Sequence, residues 1–406
     1  RRCCSCITMC ALWSPSPVVS VLLLLVFNAR ESLNQELSRQ QYAGRMIDLD
    51  TAESSSRDPK WLSMFKIVRF QNSECTGISG ESGTCYTNKE CKGNGGTTMG
   101  SCALGFGVCC SVALGCGGAS GGNNSYFVGP STLGSSSGSC QFRIIGDGNI
   151  CQYRLELEQF SLAPPSTPGA GICSTDQFSV SGANTYVPII CGTNSGQHMI
   201  FNTNGRGNDI TLSVSAITTF AQRQWRIRVI KYGCNCPYLA PQGCLQYFTA
   251  TTGQIKSFNF LPNSEGNKIA GNTYPVCIRN EVGFCGICYS QCFPPNQGGF
   301  SVTGSNMNAI NNKMPTPALP KSCLTDFIVI PCGGTTFNPA PTCGGDRFCG
   351  GTLNAGTISP GTAVPGSVCS VQQPFKLSVY FDTENEAGQT NNAGFCLNYV
   401  QQACGS

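Results

Sequence analysis

The chain has 406 residues and a formal net charge of +4; only 11% of residues are charged, and glycine alone supplies 49. Charge this thin, with no block of Lys or Arg, offers no electrostatic footprint for nucleic acid or an anionic membrane surface. Abundant Gly, Ser, Thr and Asn disfavour a helical protein and favour short strands joined by turns, and the length suits two core-bearing domains of roughly 100–150 residues plus smaller pieces.

From the N-terminus, Val18 to Phe27 is an apolar run too short to span a bilayer but suited to the core of a signal peptide. Met9 is read as the start, Arg1–Thr8 as upstream sequence, and cleavage is expected near Ala29. No later segment is long and apolar enough to span a membrane, so the mature chain is expected to be extracellular. Residues 30–64 are read as a flexible arm or removable pro-segment, because Arg30 to Lys60 is rich in charge and almost without apolar periodicity.

Phe65-Lys-Ile-Val-Arg-Phe70 opens the next piece, 65–112, as a short strand. It is followed by Cys75, Cys85, Cys91, Cys102, Cys109 and Cys110, laced with glycine. So short a segment cannot bury a sufficient core, and three disulfides would have to staple it. Six cysteines allow many pairings, which the sequence leaves open.

Two larger stretches follow, 113–236 and 237–406. Tyr153-Arg-Leu-Glu-Leu157, Ile210-Thr-Leu-Ser-Val214 and Trp225-Arg-Ile-Arg-Val229 alternate apolar and polar residues, as strands with one buried and one wet face do. Gly, Pro and Asn clusters between them mark turns, so the pattern indicates a β-sandwich, although a barrel would share it. An internal repeat is visible at an offset of 150 residues. Cys173-Ser-Thr-Asp176-Gln-Phe178 is echoed by Cys323-Leu-Thr-Asp326-Phe327, and Trp225–Val229 by Phe375-Lys-Leu-Ser-Val379. Cys191-Gly192 has a looser echo in Cys343-Gly344.

Twenty-nine cysteines, 25 of them after the apolar run, persist as paired sulfur only in an oxidising compartment. The odd 25 implies at least one unpaired or intermolecular cysteine. Cys285-x-x-Cys288 with Cys292 has a spacing that zinc also uses, but with a single His in the chain disulfides are the stronger expectation.

Cys116-Gly-Gly, Tyr126-Phe-Val-Gly-Pro130, Cys140-Gln-Phe-Arg-Ile144, Cys173-x-x-Asp176 and Cys191-Gly192 resemble a CUB domain in order. Cys244, Cys277, Cys323-x-x-Asp326 and Gly394-Phe395-x-x-x-Tyr399 resemble a second. The cysteine-rich piece resembles the arthropod clip domain, ending as that knot does in Cys109-Cys110. Together with Gly83-Thr-Cys-Tyr86, Gly105-Phe-Gly-Val-Cys-Cys110, Cys151-Gln-Tyr-Arg-Leu155 and Gly243-Cys-Leu-Gln-Tyr247, these motifs resemble a group of secreted arthropod proteins with a clip-like knot and two divergent CUB domains. The resemblance implies an all-β chain with two jelly-roll-like sandwiches in tandem, and bridges Cys173–Cys191 and Cys244–Cys277. Cys151, Cys234, Cys236, Cys285, Cys288 and Cys292 have no counterpart in a four-cysteine CUB domain.

The resemblance also implies a possible Ca²⁺ site at Asp176 in the first copy and at Asp326 with Asp382 in the second, since a hard cation needs several carboxylates. The expected Glu before Cys173 is missing, and Asn202 or Asn204 stands for the later Asp. The competing reading is that each Asp accepts backbone hydrogen bonds and pins a loop. Catalysis is not expected: His198 is the only candidate base, with no Asp near it in sequence and no nucleophile motif. Asn123-Asn-Ser125 is an N-glycosylation sequon in a Gly/Ser-rich stretch, expected to be exposed. Tyr232, Tyr238 and Tyr247 near the joint form either a contact surface or hinge packing. The leading functional expectation is an extracellular, non-catalytic binder of another protein. The alternatives are a disulfide-rich matrix or cuticle component, a glycan binder, or a non-catalytic cofactor of a protease cascade.

Overall fold

The computed structural model describes residues 69–70, 72–129, 137–166, 171–262, 267–293, 299–302, 323, 325–334, 346–353, 356–358, 362–364, 366–383 and 392–405. The signal segment, the arm and the Cys343-Gly344 echo lie outside them, as does the expected strand at Phe65–Phe70 except for Arg69 and Phe70, which are in no strand.

The cysteine-rich segment folds as β1 (Glu74–Thr76), β2 (Ser82–Tyr86), helix α1 (Asn88–Gly93), β3 (Thr97–Cys102) and β4 (Gly107–Leu114). Helix α1 starts where it does because Thr87 and Glu90 cap each other's backbone, satisfying two amide donors that a helix start leaves open. Its disulfides are Cys75–Cys109, Cys85–Cys102 and Cys91–Cys110. Strand β4 runs on to Leu114 and pairs in parallel with β6 (Ser125–Gly129), so the knot and the next sheet share one continuous strand.

The first sandwich has one sheet ordered β6, β12 (Gln224–Gly233), β8 (Ile150–Ser161), β10 (Gln197–Asn202). Its other sheet is ordered β5 (Ala119–Ser120), β7 (Gly138–Ile144), β11 (Ile210–Ala216), β9 (Asp176–Ser181). The inner faces meet ring to ring, Phe127 on Phe142 at 5.4 Å and Phe160 on Phe178 at 5.6 Å. That contact makes a sandwich of what the sequence pattern left open between sandwich and barrel.

The second sandwich repeats this connectivity strand for strand. One sheet is ordered β14 (Thr252–Lys256), β24 (Gly394–Ala403), β16 (Phe284–Gln291), β22 (Val368–Ser370). The other runs β13 (Gln246–Phe248), β15 (Thr273–Ile278), β23 (Lys376–Tyr380), β18 (Phe327–Val329), β19 (Arg347–Phe348). Short β17 (Phe300–Ser301) pairs with β24, and β20 (Gly356–Ile358) with β21 (Thr362–Val364). Even the unusual parallel pairing recurs, β5 with β7 and β13 with β15.

This equivalence corrects one of the sequence echoes. Asp176 opens β9, and Asp326 immediately precedes its counterpart β18, as the repeat implied. Trp225–Val229, however, lies in β12, whose counterpart is β24, whereas Phe375–Val379 leads into β23, the counterpart of β11. Alternating apolar residues are common to every half-buried strand, so that match at the same offset marked strands but not equivalent ones.

Three disulfides occupy equivalent places in the two sandwiches. Cys116–Cys140 corresponds to Cys244–Cys277, Cys151–Cys234 to Cys285–Cys404, and Cys173–Cys191 to Cys323–Cys349. Cys349, not Cys343, is thus the counterpart of Cys191. Cys288–Cys369 and Cys292–Cys396 are further staples of the second sandwich. The zinc spacing therefore dissolves, since Cys285, Cys288 and Cys292 each join a different bridge. Cys236 is buried in its thiol form.

In each sandwich a glycine faces a large aromatic across corresponding strand pairs, though at different registers: Gly129 pairs with Trp225 and Gly253 with Tyr399. A Cβ at either position would intrude on the partner's ring. Gly129→Ala and Gly253→Ala are each expected to destabilise the protein by about 1–3 kcal/mol through overpacking, read as a lowered melting temperature at unchanged far-UV spectrum.

Candidate functional site

Asp176 and Asp326 sit at matching ends of the two sandwiches, where the resemblance implied calcium. Each is instead matched with a cation of the chain itself. Arg223 donates from Nε to Asp176 Oδ2 at 2.9 Å and from Nη2 to Oδ1 at 2.8 Å, with both side chains at 0% exposure. Ala163 N–H adds a third donor to Oδ2 at 2.8 Å, and Arg223 Nη2 also reaches Thr218 O. The carboxylate therefore does pin a loop, and a guanidinium as well. A planar fork that fills both oxygens leaves no room for a metal ion.

In the second sandwich Lys268 Nζ contacts Oδ2 of Asp326, whose side chain is fully buried. Asp382 contributes its backbone N–H to Oδ1 at 3.1 Å. Burial pushes the Asp326 carboxyl up from its usual range, a shift the Lys268 charge opposes. The cations come from different loops: Arg223 precedes β12, while Lys268 precedes β15. Among the described residues no cluster of three or more His, Cys, Asp or Glu is arranged to hold a metal. Asp176 and Asp326 thus pair charge and pin loops, and Asp382 lends its backbone amide.

His198 is placed in β10 with its Nε2 accepting the Tyr247 N–H at 2.9 Å. Burial first, then the charge of Arg154, hold its imidazole well below the usual range. Its ring also packs edge-on against Phe248. It is a joint between the two sandwiches, and its neighbours share that role. Ile200 N donates to Leu245 O at 2.6 Å, Gln197 Nε2 to Ser257 O at 3.2 Å, and Arg154 Nη1 to Tyr247 O at 3.3 Å. Gln152 exchanges two hydrogen bonds with the backbone of Ala240.

Asn194 and Asn259 interlock: Asn194 Oδ1 accepts Asn259 N–H at 2.7 Å, and Asn259 Oδ1 accepts Thr193 N–H at 3.0 Å. The Asn259 side chain lies against Gly192, whose φ of +73° and missing Cβ permit that approach. This network was not foreseen from sequence, because neither Asn belongs to a motif. Of the tyrosines near the joint, Tyr247 contributes backbone to it and Tyr238 is exposed.

Asn123 differs from expectation. It is half-buried, its Oδ1 accepts the Lys231 N–H at 2.8 Å, and Ser125 of the sequon is fully buried at the start of β6. The knot also carries three large apolar side chains in water, Ile78 at 93%, Leu104 at 83% and Phe106 at 61% exposure. Leu104 and Ala103 both adopt positive φ, 55° and 48°, in the turn between β3 and β4. On the sheet face between knot and sandwich, Arg226 and Arg228 of β12 pair with Glu81 and Glu74 of the knot and with Glu158 of β8.

Residues 241–402 match the family model of the animal CUB domain, so a CUB domain occupies the second sandwich. No curated protein matches the chain. Among solved structures the chain is similar to the CUB1-EGF-CUB2 domains of rat MASP-1, with 14% identity, a TM-score of 0.23, and 71% of this chain and 99% of that one covered. The corresponding human MASP-1/3 fragment gives 14% identity and a TM-score of 0.22, over 68% and 98%. The full extracellular region of zebrafish Gpr126/Adgrg6 gives 13% and 0.23, over 73% of this chain and 34% of that one.

Two outcomes test the site. Arg223→Met strands the buried Asp176 charge and should cost about 3–5 kcal/mol in denaturant unfolding, with no rescue by millimolar Ca²⁺. The second concerns His198, whose folded-state affinity for protons is depressed. The unfolded imidazole binds protons below about pH 6.5, so His198 contributes fully above that pH and its contribution is lost as the pH falls. The melting temperature should therefore drop between about pH 7.5 and about pH 5, and drop less in His198→Gln, the difference between the two isolating this group.

Proposed function

We propose that the protein is an extracellular, non-catalytic binder of another protein, with both sandwiches being CUB domains and the knot supplying contact surface. The observation that carries this reading is the presentation of Leu104 and Phe106 on the turn between β3 and β4, with Ile78 on the adjoining turn. Isolated exposed apolar residues are ordinary, but three on one small knot are costly to solubility unless a partner covers them. Two successive residues at positive φ add strain to the turn that projects Leu104. Strain of this kind is tolerated at contact loops held by a rigid frame, here the Cys85–Cys102 bridge and β4.

The matched CUB domain and the eleven disulfides with both partners described fit an extracellular setting. Strand-for-strand equivalence supports reading the first sandwich as a second CUB domain. Secretion through the N-terminal signal segment belongs to the same proposal. The single His is committed to a backbone hydrogen bond, which supports binding over acid–base chemistry.

The test is binding of the purified protein to a panel of extracellular ectodomains and, in parallel, to a glycan array. Saturable binding to an ectodomain that falls at least about tenfold in Leu104→Asp, at unchanged melting temperature, supports the proposal. Binding to glycans alone, or ectodomain binding indifferent to Leu104 and Phe106, overturns it.

A further inference from the structure

The two Asp–cation pairs are equivalent in position and differ in one chemical respect. Arg223 is a guanidinium, charged at any physiological pH and not a nucleophile. Lys268 carries a primary amine, which becomes a nucleophile on losing one proton. Its Nζ touches Asp326 Oδ2, one atom from the carboxyl carbon. In the first sandwich the guanidinium instead spans both Asp176 oxygens at 2.8–2.9 Å.

We propose that Lys268 and Asp326 condense spontaneously to an intramolecular amide, a covalent bridge across the end of the second sandwich. The surroundings meet the requirements of that reaction. Asp326 is fully buried, Lys268 nearly so, and the Phe381 ring lies 5.4 Å from Nζ. Two buried opposite charges lose solvation, and the first step passes one proton from the ammonium to Oδ2, the carboxylate oxygen it touches. The raised pKa of Asp326 agrees with this direction.

The Nζ lone pair then attacks Cγ, and the charge that develops on Oδ1 meets the Asp382 N–H already aimed at it at 3.1 Å. A proton leaving the nitrogen goes to Oδ2, the Cγ–Oδ2 bond breaks, and one water departs. An ammonium and a carboxylate give one amide and one water, with no change in oxidation state and no co-reactant. Fixed proximity supplies the drive that free solutes lack, with effective molarities of order 10⁵ M or more for well-oriented groups. The product removes a buried ion pair and closes a loop between the segment before β15 and the start of β18.

The wild-type protein, fully reduced and denatured, is digested with trypsin and read by mass spectrometry. Peptide 257–279, uncut after Lys268, should appear joined to peptide 322–347 at their summed mass less one water. Lys268→Arg keeps the cation but removes the amine; it should be cut after residue 268 and yield peptide 322–347 unlinked at its own mass. Asp382→Ala retains the backbone donor and should still cross-link, which separates the N–H from the side chain. Asp176 and Arg223 should remain unmodified in every sample. Cleavage after Lys268 in the wild type, with the two peptides at their separate masses, overturns the proposal, as does loss of water located at any other pair.

Discussion

Asp176 and Asp326 are carried out of contact with water by the same turn of the same fold, and a carboxylate in that position must be neutralised or answered by donors. The first sandwich answers with a fork of guanidinium nitrogens and one backbone amide; the second answers with an ammonium and one backbone amide. Each pair ties the start of one strand to a loop distant in sequence, 47 residues on for Asp176. The mouth of each sandwich is thereby fixed by charges of the chain itself.

That internal fixing connects to the way the two sandwiches meet. Gly171 and Lys268 lie on opposite sides of the joint yet close together, since Ala270 N donates to Gly171 O at 2.9 Å. Asn272 Nδ2 reaches Ile189 O nearby, and the Asn194–Asn259 interlock lies between this contact and His198. A joint of buried, mutually satisfied polar groups has few alternative arrangements, because sliding would leave each donor and acceptor unpaired at a cost of about 1–3 kcal/mol apiece. One apolar core, from Phe127 in the first sandwich to Tyr399 in the second, runs behind it. The knot is joined at the other side through β4 and the Arg226 and Arg228 ladder. Knot and sandwiches therefore transmit position to one another instead of moving as beads on a string.

Much of this was legible in the sequence, and the reasons for the misses are specific. Alternation in Tyr153–Leu157, Ile210–Val214 and Trp225–Val229 marked real strands, because a half-buried strand must alternate. Cys173-x-x-Asp176 and Cys323-x-x-Asp326 found equivalent places, since a bridge and a buried carboxylate constrain side-chain chemistry and not only polarity. The Trp225 and Phe375 match failed for the opposite reason: alternation says that a strand is half-buried, not which strand it is. The partners of the aspartates were invisible because Arg223 and Lys268 come from different loops, and no spacing rule links them to their carboxylates. Asn123 looked exposed from its glycine-rich neighbours, but its carbonyl is needed by the Lys231 backbone where β12 leaves β6. Asn194 and Asn259 carry no signature at all, since their role exists only once two sandwiches are docked.

A duplicated fold with unlike cations at one site also shows how far chemistry can diverge while geometry stays fixed. Strand order, the parallel edge pairing and three disulfides are held in common, so the constraint on both copies is the sandwich itself. Within it, a carboxylate needs only some positive group within reach, and either loop beside it can provide one. Arg supplies two directed bonds and chemical inertness; Lys supplies a single charge on a primary amine that touches the carboxyl group directly. Among the described residues the second sandwich is also the copy with extra staples, Cys288–Cys369 and Cys292–Cys396, both acting on its β14–β24–β16–β22 sheet. Those bridges secure one sheet, while Lys268 and Asp326 act at one end of the other, next to β15 and β18, where Cys244–Cys277 and Cys323–Cys349 also tie neighbouring strands.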